Sequence, residues 1–314
     1  MRIATLLPSA TEIVCVLGLA DDIVAVTHEC DYPPEIRGRP VAVRPLVDAS
    51  APSRKIDEQV ERALRRGEPL YRVDADVLRE ARPDLLITQD LCDVCALPSL
   101  DVEAVAVRLP GPPAILRLHP HTLGDILRDI LTVGNAAGRP DVASRVVQAL
   151  GSRIAAVERA VRDRARPRVF CMEWLDPPFC GGHWMPELVE RAGGREVLGR
   201  RGRPSFRVEW HEIVRAAPDV VVLAVCGFDV PRTIAELGAV TVRPEWQSLP
   251  AVTSGRVYVT DANGFFSRSG PRVVDGLEML GAILHPDAAD WTTPAGAWLR
   301  FPLEAAQLRS STEA

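Results

Sequence analysis

The sequence predicts an α/β fold of two lobes joined by a single long helix. Apolar strand segments alternate with helical segments, which is the order of a parallel sheet. A helix-Pro-Asp-strand junction occurs twice, at residues 82–87 (RPDLLI) and 217–222 (APDVVV). Between the copies, residues 140–166 repeat apolar side chains at helical spacing with no proline after the first position. Such a helix is about 37 Å long at 1.5 Å per residue, enough to run from one lobe to the other.

The first half begins with a strand, a turn and a helix. Residues 2–7 predict the strand, Pro8 to Thr11 a turn whose hydroxyls cap a helix, and residues 11–18 that helix, which Gly18 ends. Thr122, followed three residues later by Asp125, is close to a capping box and predicts a helix that runs to about residue 137. The remaining predicted elements of this half are strands at 22–27 and 83–88 and a helix at 76–81.

The second half restarts the pattern. Strands are predicted at 168–172, 218–225, 241–242 and 256–260, and helices at 185–192, 210–216 and 271–284. The predicted domains are an N-terminal α/β lobe at 1–120, a helical connector with the backbone helix at 121–166, a C-terminal α/β lobe at 167–285 and a tail at 286–314.

Composition excludes several classes of protein. The 42 acidic and 37 basic residues are spread along the chain, so no basic patch for nucleic acid or anionic lipid is predicted. No apolar run reaches the roughly 18 residues of a membrane span. The start MRIATLLPSATEIV lacks the apolar core of an export signal, and seven cysteines do not form the even set of a secreted disulfide framework. We expect a cytoplasmic location as written, and a periplasmic or extracellular one if an export signal was removed.

Several motifs, taken in order, resemble a known family. They are LLPSATE at 6–12, VAVT at 24–27 followed by CDYPP at 30–34, the two Pro-Asp junctions, and GRVY at 255–258. Together they resemble the class III periplasmic binding proteins, the cobalamin and iron-siderophore type with a helical backbone, over roughly residues 1–285. The segments EWLDPP at 173–178 and GHW at 182–184 are similar to those of a cobalamin-binding-like branch.

The resemblance implies two Rossmann-like lobes, a ligand cleft between them, and a solute-binding protein of ABC-importer type for a corrinoid or other metal chelate, with an ABC permease as partner. Open α/β sheets also place ligands at the carboxyl ends of their strands. The implied ligand-binding residues lie in loops at those ends. They are Ser9, Thr11, Glu12, His28, Glu29, Gln89, Glu173, Trp174, His183, Trp184, Phe228, Phe265 and Arg268.

The chain departs from the family pattern at two pairs of positions. Glu29 and Gln89 stand where the family's cobalamin binder has aromatic rings against the corrin, so stacking would come from tryptophan or phenylalanine residues of the implied set. Asp76 and His211 stand where each lobe presents a glutamate to arginines of the permease. With the missing export signal, these departures favour an intracellular role for an uptake-type fold.

A metal site is a further prediction. Cys92 and Cys95 have the spacing of a metal-binding pair, and Cys180 with His183 offers a second pair. Thiolate and imidazole suit zinc or another borderline-soft metal, so the predicted ligands are Cys92, Cys95, His28 and His183. The candidate bound groups are therefore cobalamin or a transition metal such as zinc or iron.

Each candidate has a purely structural alternative. Buried cysteines often act as small apolar residues, which we favour for Cys15, Cys171 and Cys226. The two tryptophans of the implied set could pack the lobe interface instead of a ligand. His119 and His121 are expected at the surface or at a helix start, and Arg268 could be a solvated loop residue instead of an anion contact.

Catalysis is the less favoured alternative. The chain has no Gly-x-Ser-x-Gly, P-loop, Gly-x-Gly-x-x-Gly or His-Glu-x-x-His motif. Cys92 or Cys95 near His28 could form a nucleophile-base pair, since such partners need proximity only in space. The alternative function is therefore a cytosolic metal-binding protein or metal-dependent enzyme on the same two-lobed fold.

Overall fold

The computed structural model describes residues 1–89 and 99–302. It divides into two compact units. The first unit contains the described residues of 1–51, 55–150 and 269–271. The second contains those of 52–54, 151–268 and 272–314. Both are α/β units, as the sequence predicts.

The first unit is built on a six-stranded sheet in the order β4-β3-β2-β1-β5-β6, in which only the β3–β4 pair is antiparallel. Its strands are β1 (Ile3–Thr5), β2 (Ile23–Thr27), β3 (Val41–Pro45), β4 (Tyr71–Val73), β5 (Leu85–Gln89) and β6 (Ala114–Leu118). Its helices are α1 (Pro8–Val16), α2 (Ser53–Arg66) from Lys55 onward, α3 (Ala75–Ala81), α4 (Ser99–Ala106), α5 (Leu123–Ala136) and the first part of α6 (Pro140–Val161).

The core of the first unit lies between the sheet and α3. Small side chains on neighbouring strands, Ala4, Ala25 and Ala42, let Leu78 of α3 pack closely, and all four are fully buried. Burying one leucine side chain contributes about 2 kcal/mol, so this contact fixes α3 against the strands.

The second unit is built on a sheet in the order β10-β8-β7-β11-β12-β13, with β9 paired to β7. Strands β7, β9, β11 and β12 are parallel, and β8, β10 and β13 pair antiparallel. The strands are β7 (Arg168–Trp174), β8 (Phe179–Cys180), β9 (Arg195–Glu196), β10 (Phe206–Arg207), β11 (Val220–Leu223), β12 (Val257–Thr260) and β13 (Trp298–Phe301). The helices are α7 (Met185–Arg191), α8 (Trp210–Ala216), α9 (Val230–Glu236), α10 (Gly238–Thr241), α11 (Pro244–Gln247), α12 (Pro250–Thr253), α13 (Ala262–Phe265) and α14 (Val273–Leu284).

The long helix α6 spans residues 140–161, where the sequence predicts residues 140–166. The division between the units falls inside it, after Leu150. In its second part the Arg153 guanidinium donates to Glu278 at 2.9 Å and also contacts Asp275, both on α14. These carboxylates raise the pKa of Arg153 further above its already high value, so α6 is anchored to α14 by a permanent charge.

The predicted helix-Pro-Asp-strand junction has the same geometry in both units. In the first, Asp84 accepts a hydrogen bond from the backbone N–H of Arg2 at 2.7 Å, and the Arg2 guanidinium donates to the carbonyl of Ala81. The residue that ends α3, Arg82, has a left-handed backbone with φ 43°. This left-handed residue ends the helix and directs the chain into β5.

In the second unit the equivalent residues make the same contacts. Asp219 accepts from the backbone N–H of Arg168 at 2.8 Å, and the Arg168 guanidinium donates to the carbonyl of Ala216. The residue that ends α8, Ala217, has φ 40°. The internal repeat predicted from six-residue segments therefore extends to individual hydrogen bonds.

Some local predictions are wrong. Helix α1 begins at Pro8, which is favourable at a first helical position because proline has no N–H to satisfy. Ser9 and Thr11 consequently lie inside the helix, and no side chain caps it. The predicted strand at 241–242 is instead the end of α10 and the residue that follows it. The capping box of Thr122 and Asp125 is confirmed.

Two further differences concern strands and the C-terminal part. The sequence did not predict β3, β4 and β6, which are the outer strands of the first sheet. Residues 298–301, predicted to lie in a tail, form β13 in the second sheet. Among the described residues no helix is both long and apolar enough to cross a membrane.

Candidate functional site

At the carboxyl end of β1, the polar side chains of α1 point inward. Thr11 is fully buried, with its hydroxyl 2.6 Å from the hydroxyl of Thr5 and 3.0 Å from the thiol of Cys30. The Cys30 sulfur also accepts from the backbone N–H of Thr27 at 3.4 Å. These contacts join β1, α1 and β2, so the Thr11 hydroxyl is occupied in holding the strand ends together.

Ser9 and Glu12 lie on the same helix beside residues 269–271. The Ser269 hydroxyl donates to the Ser9 hydroxyl at 3.2 Å, and both side chains are buried. A Cβ added at Gly270 would lie 3.1 Å from a carboxylate oxygen of Glu12. Glycine at this position therefore lets the backbone approach the carboxylate closely.

After β2, His28 and Glu29 are the accessible predicted residues of the first unit. The His28 Nδ1 lies 3.2 Å from the carbonyl oxygen of Val43, which requires a proton on Nδ1. Its Nε2 lies 3.8 Å from the carboxylate of Glu29, and the two side chains are 22% and 50% exposed. The loop after β2 thus presents the oriented imidazole of His28 next to the solvent-exposed carboxylate of Glu29.

Gln89 ends β5 and is 8% exposed. It pairs in register with Leu118, the last residue of β6. The chain that follows contains Cys92 and Cys95, which lie outside the described residues.

In the second unit a hairpin follows β7. Glu173 accepts a hydrogen bond from the backbone N–H of Gly182 at 2.8 Å. A Cβ added at Gly182 would lie 2.1 Å from the backbone nitrogen of Ser205, so only glycine fits here. The next residue, His183, has φ 50°, and its N–H donates to the carbonyl of Arg203 at 2.6 Å. Glu173 and residues 202–205 therefore hold His183 in a left-handed conformation that costs about 1 kcal/mol or more.

Trp174, the last residue of β7, is the most exposed of the four aromatic candidates. Its indole N–H donates to the carbonyl of Ser53 at 3.3 Å, and its ring centre lies 5.4 Å from that of Phe228. On Phe228 the guanidinium of Arg232 is stacked at 4.4 Å, and Arg232 also donates to Glu236 at 3.0 Å. A hydrogen bond and a ring contact thus fix the orientation of the Trp174 indole.

The other aromatic candidates are more deeply buried. Trp184 is 6% exposed and donates its indole N–H to the carbonyl of Phe266 at 2.9 Å. Phe228 is 5% and Phe265 8% exposed, and the guanidinium of Arg272 lies 5.4 Å from the Phe265 ring. These side chains support the loops from inside.

The loop after β12 contains Arg268, the positively charged side chain of the predicted ligand-binding set. Arg268 is 7% exposed and donates to the side-chain oxygen of Asn263 at 3.0 Å. Asp261, the first residue after β12, caps α13 by accepting from the backbone N–H of Gly264. Burial raises the pKa of Asp261, although this hydrogen bond and the charge of Arg272 oppose the shift.

None of the described cysteines forms a disulfide, and three of them have raised thiol pKa values. Burial raises the pKa of Cys15 and of Cys180 to about 12, and burial raises that of Cys171 well above its usual value. In residues 1–89 and 99–302, no three His, Cys, Asp or Glu side chains gather as metal ligands. The metal site on Cys92, Cys95, His28 and His183 stays a prediction, and its two histidines belong to different units.

The sequence did not single out several residues that shape these loops. Ser53 and Ser269 come from segments far along the chain, and no local signal connects them with Trp174 or Ser9. Arg232 could have been found, because Phe228, Arg232 and Glu236 follow one another at four-residue, helical spacing.

In both units the candidate loops lie at the carboxyl ends of parallel strands, which is where open α/β sheets bind ligands. The family model for periplasmic binding proteins matches residues 3–263, and the chain belongs to this family. It is 23% identical to an uncharacterized ABC transporter substrate-binding lipoprotein of Bacillus subtilis, over 91% of this chain and 80% of that protein.

Two further relatives have names that state a ligand. The vitamin B12-binding protein of Vibrio cholerae is 23% identical over 89% of this chain and 87% of its own length. A periplasmic heme-binding protein from Pseudomonas aeruginosa matches as a solved structure with a TM-score of 0.70 and 19% identity, covering 95% of this chain and 97% of that one. At this identity the structural match shows the shared fold.

Proposed function

We propose that this chain is the substrate-binding component of an ABC importer and that its ligand is a planar metal chelate, a corrinoid first and a heme or iron chelate second. The observation that carries the proposal is Trp174, a partly exposed indole fixed at the carboxyl end of β7 in a protein of the periplasmic binding protein family. The names of the relatives, which state vitamin B12 and heme, support this ligand class.

The contacts of Trp174 suit stacking against a flat ligand. An indole already held by Ser53 and Phe228 loses little rotational freedom when a ligand binds, so more of the stacking energy appears as affinity. Aromatic stacking contributes about 0.5–1.5 kcal/mol beyond the apolar area that is buried. Arg232 on Phe228 stabilises the ring that supports Trp174.

Polar residues would orient the chelate. His28 has its Nε2 available as an acceptor while Nδ1 faces Val43, so it could accept a hydrogen bond from a ligand amide or coordinate a chelated metal. Arg268, held by Asn263, would meet an anionic group of the ligand. Ser9, Glu12, Glu29, Gln89, Glu173 and His183 complete the proposed set, with Trp184, Phe228 and Phe265 supporting it from inside. Thr11 is proposed to hold β1, α1 and β2 together.

The ligand proposal is tested by absorbance titration of the purified protein with cobalamin, cobinamide, heme and a ferric siderophore. We expect a spectral shift and saturable binding for at least one of them. The variant Trp174→Ala should weaken that binding about tenfold, equivalent to 1.4 kcal/mol. Trp298→Phe, on a strand that carries no proposed ligand residue, is the matched control. No spectral change with any chelate at high micromolar concentration would overturn the proposal.

Docking to a permease is proposed at Asp76 on α3 and His211 on α8, the helices that precede the two repeated junctions. Both side chains are exposed. If arginines of the permease are the partners, His211→Glu should strengthen binding and Asp76→Arg should weaken it. Co-purification with the permease encoded nearest to this gene measures both changes, and equal recovery of the two variants would contradict the proposed docking sites.

A cytoplasmic location stays a prediction and is measured separately by cell fractionation. A cytosolic location would favour the alternative function, a metal-binding protein or metal-dependent enzyme. Elemental analysis of the protein and of the Cys92→Ser, Cys95→Ser variant would then decide between a chelate carrier and a metal protein.

A further inference from the structure

Two histidines that are not among the residues proposed for chelate binding lie close together. They are His119 and His121, which follow β6 in the first unit, on either side of Pro120. Their Nε2 atoms are 2.8 Å apart, and their ring centres are 4.4 Å apart at an angle of 82°. The two nitrogen lone pairs can approach this closely only if a proton, or another cation, lies between them.

This separation is close to the one that a metal ion imposes. Imidazole nitrogens bind zinc and similar ions at 2.0–2.1 Å, which places two cis ligands about 2.9 Å apart at a right angle and about 3.3 Å apart in a tetrahedron. A small rotation of either ring therefore converts the hydrogen-bonded pair into a chelating pair.

A partly buried carboxyl group on the next helix is available to balance the charge of a bound cation. Asp129 of α5 has a buried oxygen, Oδ2, that accepts no hydrogen bond from any residue in the described part of the chain. Burial, and then repulsion from Asp125, raise the pKa of Asp129 to about 7, and the positive form of His119 opposes that shift. The negative charge of Asp125 itself is compensated, because its carboxylate accepts a hydrogen bond from Thr122 and is paired with Arg128.

We propose that His119 and His121 bind a divalent first-row transition-metal ion through their Nε2 atoms, with the Asp129 carboxylate supplying compensating charge. With these two protein ligands, the ion completes its coordination with water. Two neutral imidazoles select copper, nickel or zinc over magnesium or calcium, which prefer oxygen ligands. The site involves none of the residues proposed for chelate binding, nor Cys92 and Cys95.

The test is calorimetric titration of untagged, chelator-treated protein with Cu²⁺, Ni²⁺, Zn²⁺ and Mg²⁺. We expect one equivalent of transition metal to bind in a way that depends on this pair. Cu²⁺ should bind more tightly than Ni²⁺ and Zn²⁺, and Mg²⁺ should not bind. His119→Gln and His121→Gln should each weaken binding by more than about 100-fold, and Asp129→Asn by about tenfold.

Controls separate this site from others. Asp163→Asn removes an exposed carboxylate that has no proposed role and should leave affinity unchanged. In the Cys92→Ser, Cys95→Ser variant the equivalent that depends on the histidine pair should remain. With Cu²⁺, electron spin-echo spectra should show two coordinated imidazoles in the parent protein and one in His119→Gln. Equal affinity in the parent and in both histidine variants, with unchanged thermal unfolding, would overturn the proposal, as would binding that follows the cysteines.

Discussion

In the first unit β1 leads directly into α1, whereas in the second unit β7 passes through the hairpin strand β8 before α7 begins. The inserted residues, 175–184, include His183 and Trp184, and they are held to the rest of the unit by Glu173 and by the 202–205 segment. The junctions that carry Asp84 and Asp219, by contrast, share the hydrogen bond from an arginine backbone N–H to the aspartate and the bond from the guanidinium of that arginine to the helix carbonyl.

The repeated junction belongs to the structural framework of each unit, and the strand-end segments carry the candidate ligand-binding residues. The repeated junction satisfies the backbone groups at a helix end and a strand start, so its residues are fixed by the fold. The strand-end segments have no such constraint, and there the two units differ in length, in aromatic content and in the use of positive-φ residues. Each unit therefore offers a different chemistry on the same scaffold.

The largest expected effect concerns the inserted hairpin. Gly182→Ala would place a methyl group 2.1 Å from the Ser205 nitrogen and 2.6 Å from the carbonyl carbon of Pro204. Because both are backbone atoms, we expect a loss of about 4 kcal/mol in unfolding free energy, measured by urea denaturation. The control is Gly151→Ala in α6, where no atom lies within 4 Å. It should stabilise by about 0.8 kcal/mol, and similar losses for both variants would contradict the close approach.

The next effect comes from a comparison of two acidic residues, the buried Glu187 and the partly buried Asp129. In the second unit Glu187 is paired with Arg191 and Arg201, whereas Asp129 of the first unit has no basic hydrogen-bond partner at its buried oxygen among the described residues. The raised pKa of Asp129, about 7, means that the folded protein keeps a proton that the unfolded chain releases near pH 4. Its presence therefore lowers stability as pH rises from about 4 to about 7.

Asp129→Asn should remove that decline. In metal-free buffer we expect the variant to be about 2 kcal/mol more stable than the parent at pH 8 and equal to it at pH 4. Solvent screening of the partly exposed Asp129 keeps this difference well below what the full pKa shift would give. Urea denaturation at the two pH values measures the difference. A constant difference at both pH values would show that Asp129 ionises normally.

The repeated junction can be tested by removing each aspartate. Asp219 is partly buried and Asp84 is exposed, so Asp219→Ala should cost about 1.5 kcal/mol and Asp84→Ala about 0.5 kcal/mol. The asparagine variants keep an acceptor oxygen and should lose less than half as much. If Asp84→Ala cost more than Asp219→Ala in chemical denaturation, burial would not be what distinguishes the two junctions.

The smallest expected effect is at the helix ends. Ala217→Gly relieves a left-handed alanine and should stabilise by about 0.5 kcal/mol, since glycine adopts positive φ without a steric penalty. Ala216→Gly, one residue earlier and inside α8, should instead destabilise by about 1 kcal/mol. Thermal unfolding of the two variants should therefore shift in opposite directions.

The fold was largely predictable where structure is local. The Pro-Asp junctions, the Thr122 capping box and the helix at 210–216 depend on residues a few positions apart, and these predictions are confirmed. Strands β3 and β4 were missed because each is short and is stabilised by pairing with strands far along the chain. The start of α1 was misplaced because Pro8 was read as part of a turn instead of as a first helical residue.

The candidate site was predictable only as a set of loops. Residues such as Trp174 and His28 could be named because they directly follow predicted strands. Their contacts could not be predicted, because Ser53, Val43 and Phe228 reach them through tertiary packing. Thr11 illustrates the limit: a hydroxyl near a helix start looked available, and the fold buries it against Thr5 and Cys30.

Strand β13 has a consequence for the handling of this protein. It pairs with β12 along four residues, from Val257 with Phe301 to Thr260 with Trp298. Without it, the apolar β12 would present a bare row of backbone donors and acceptors, which invites pairing with another molecule. A chain shortened to residue 296 is therefore expected to self-associate, and affinity tags belong beyond residue 302.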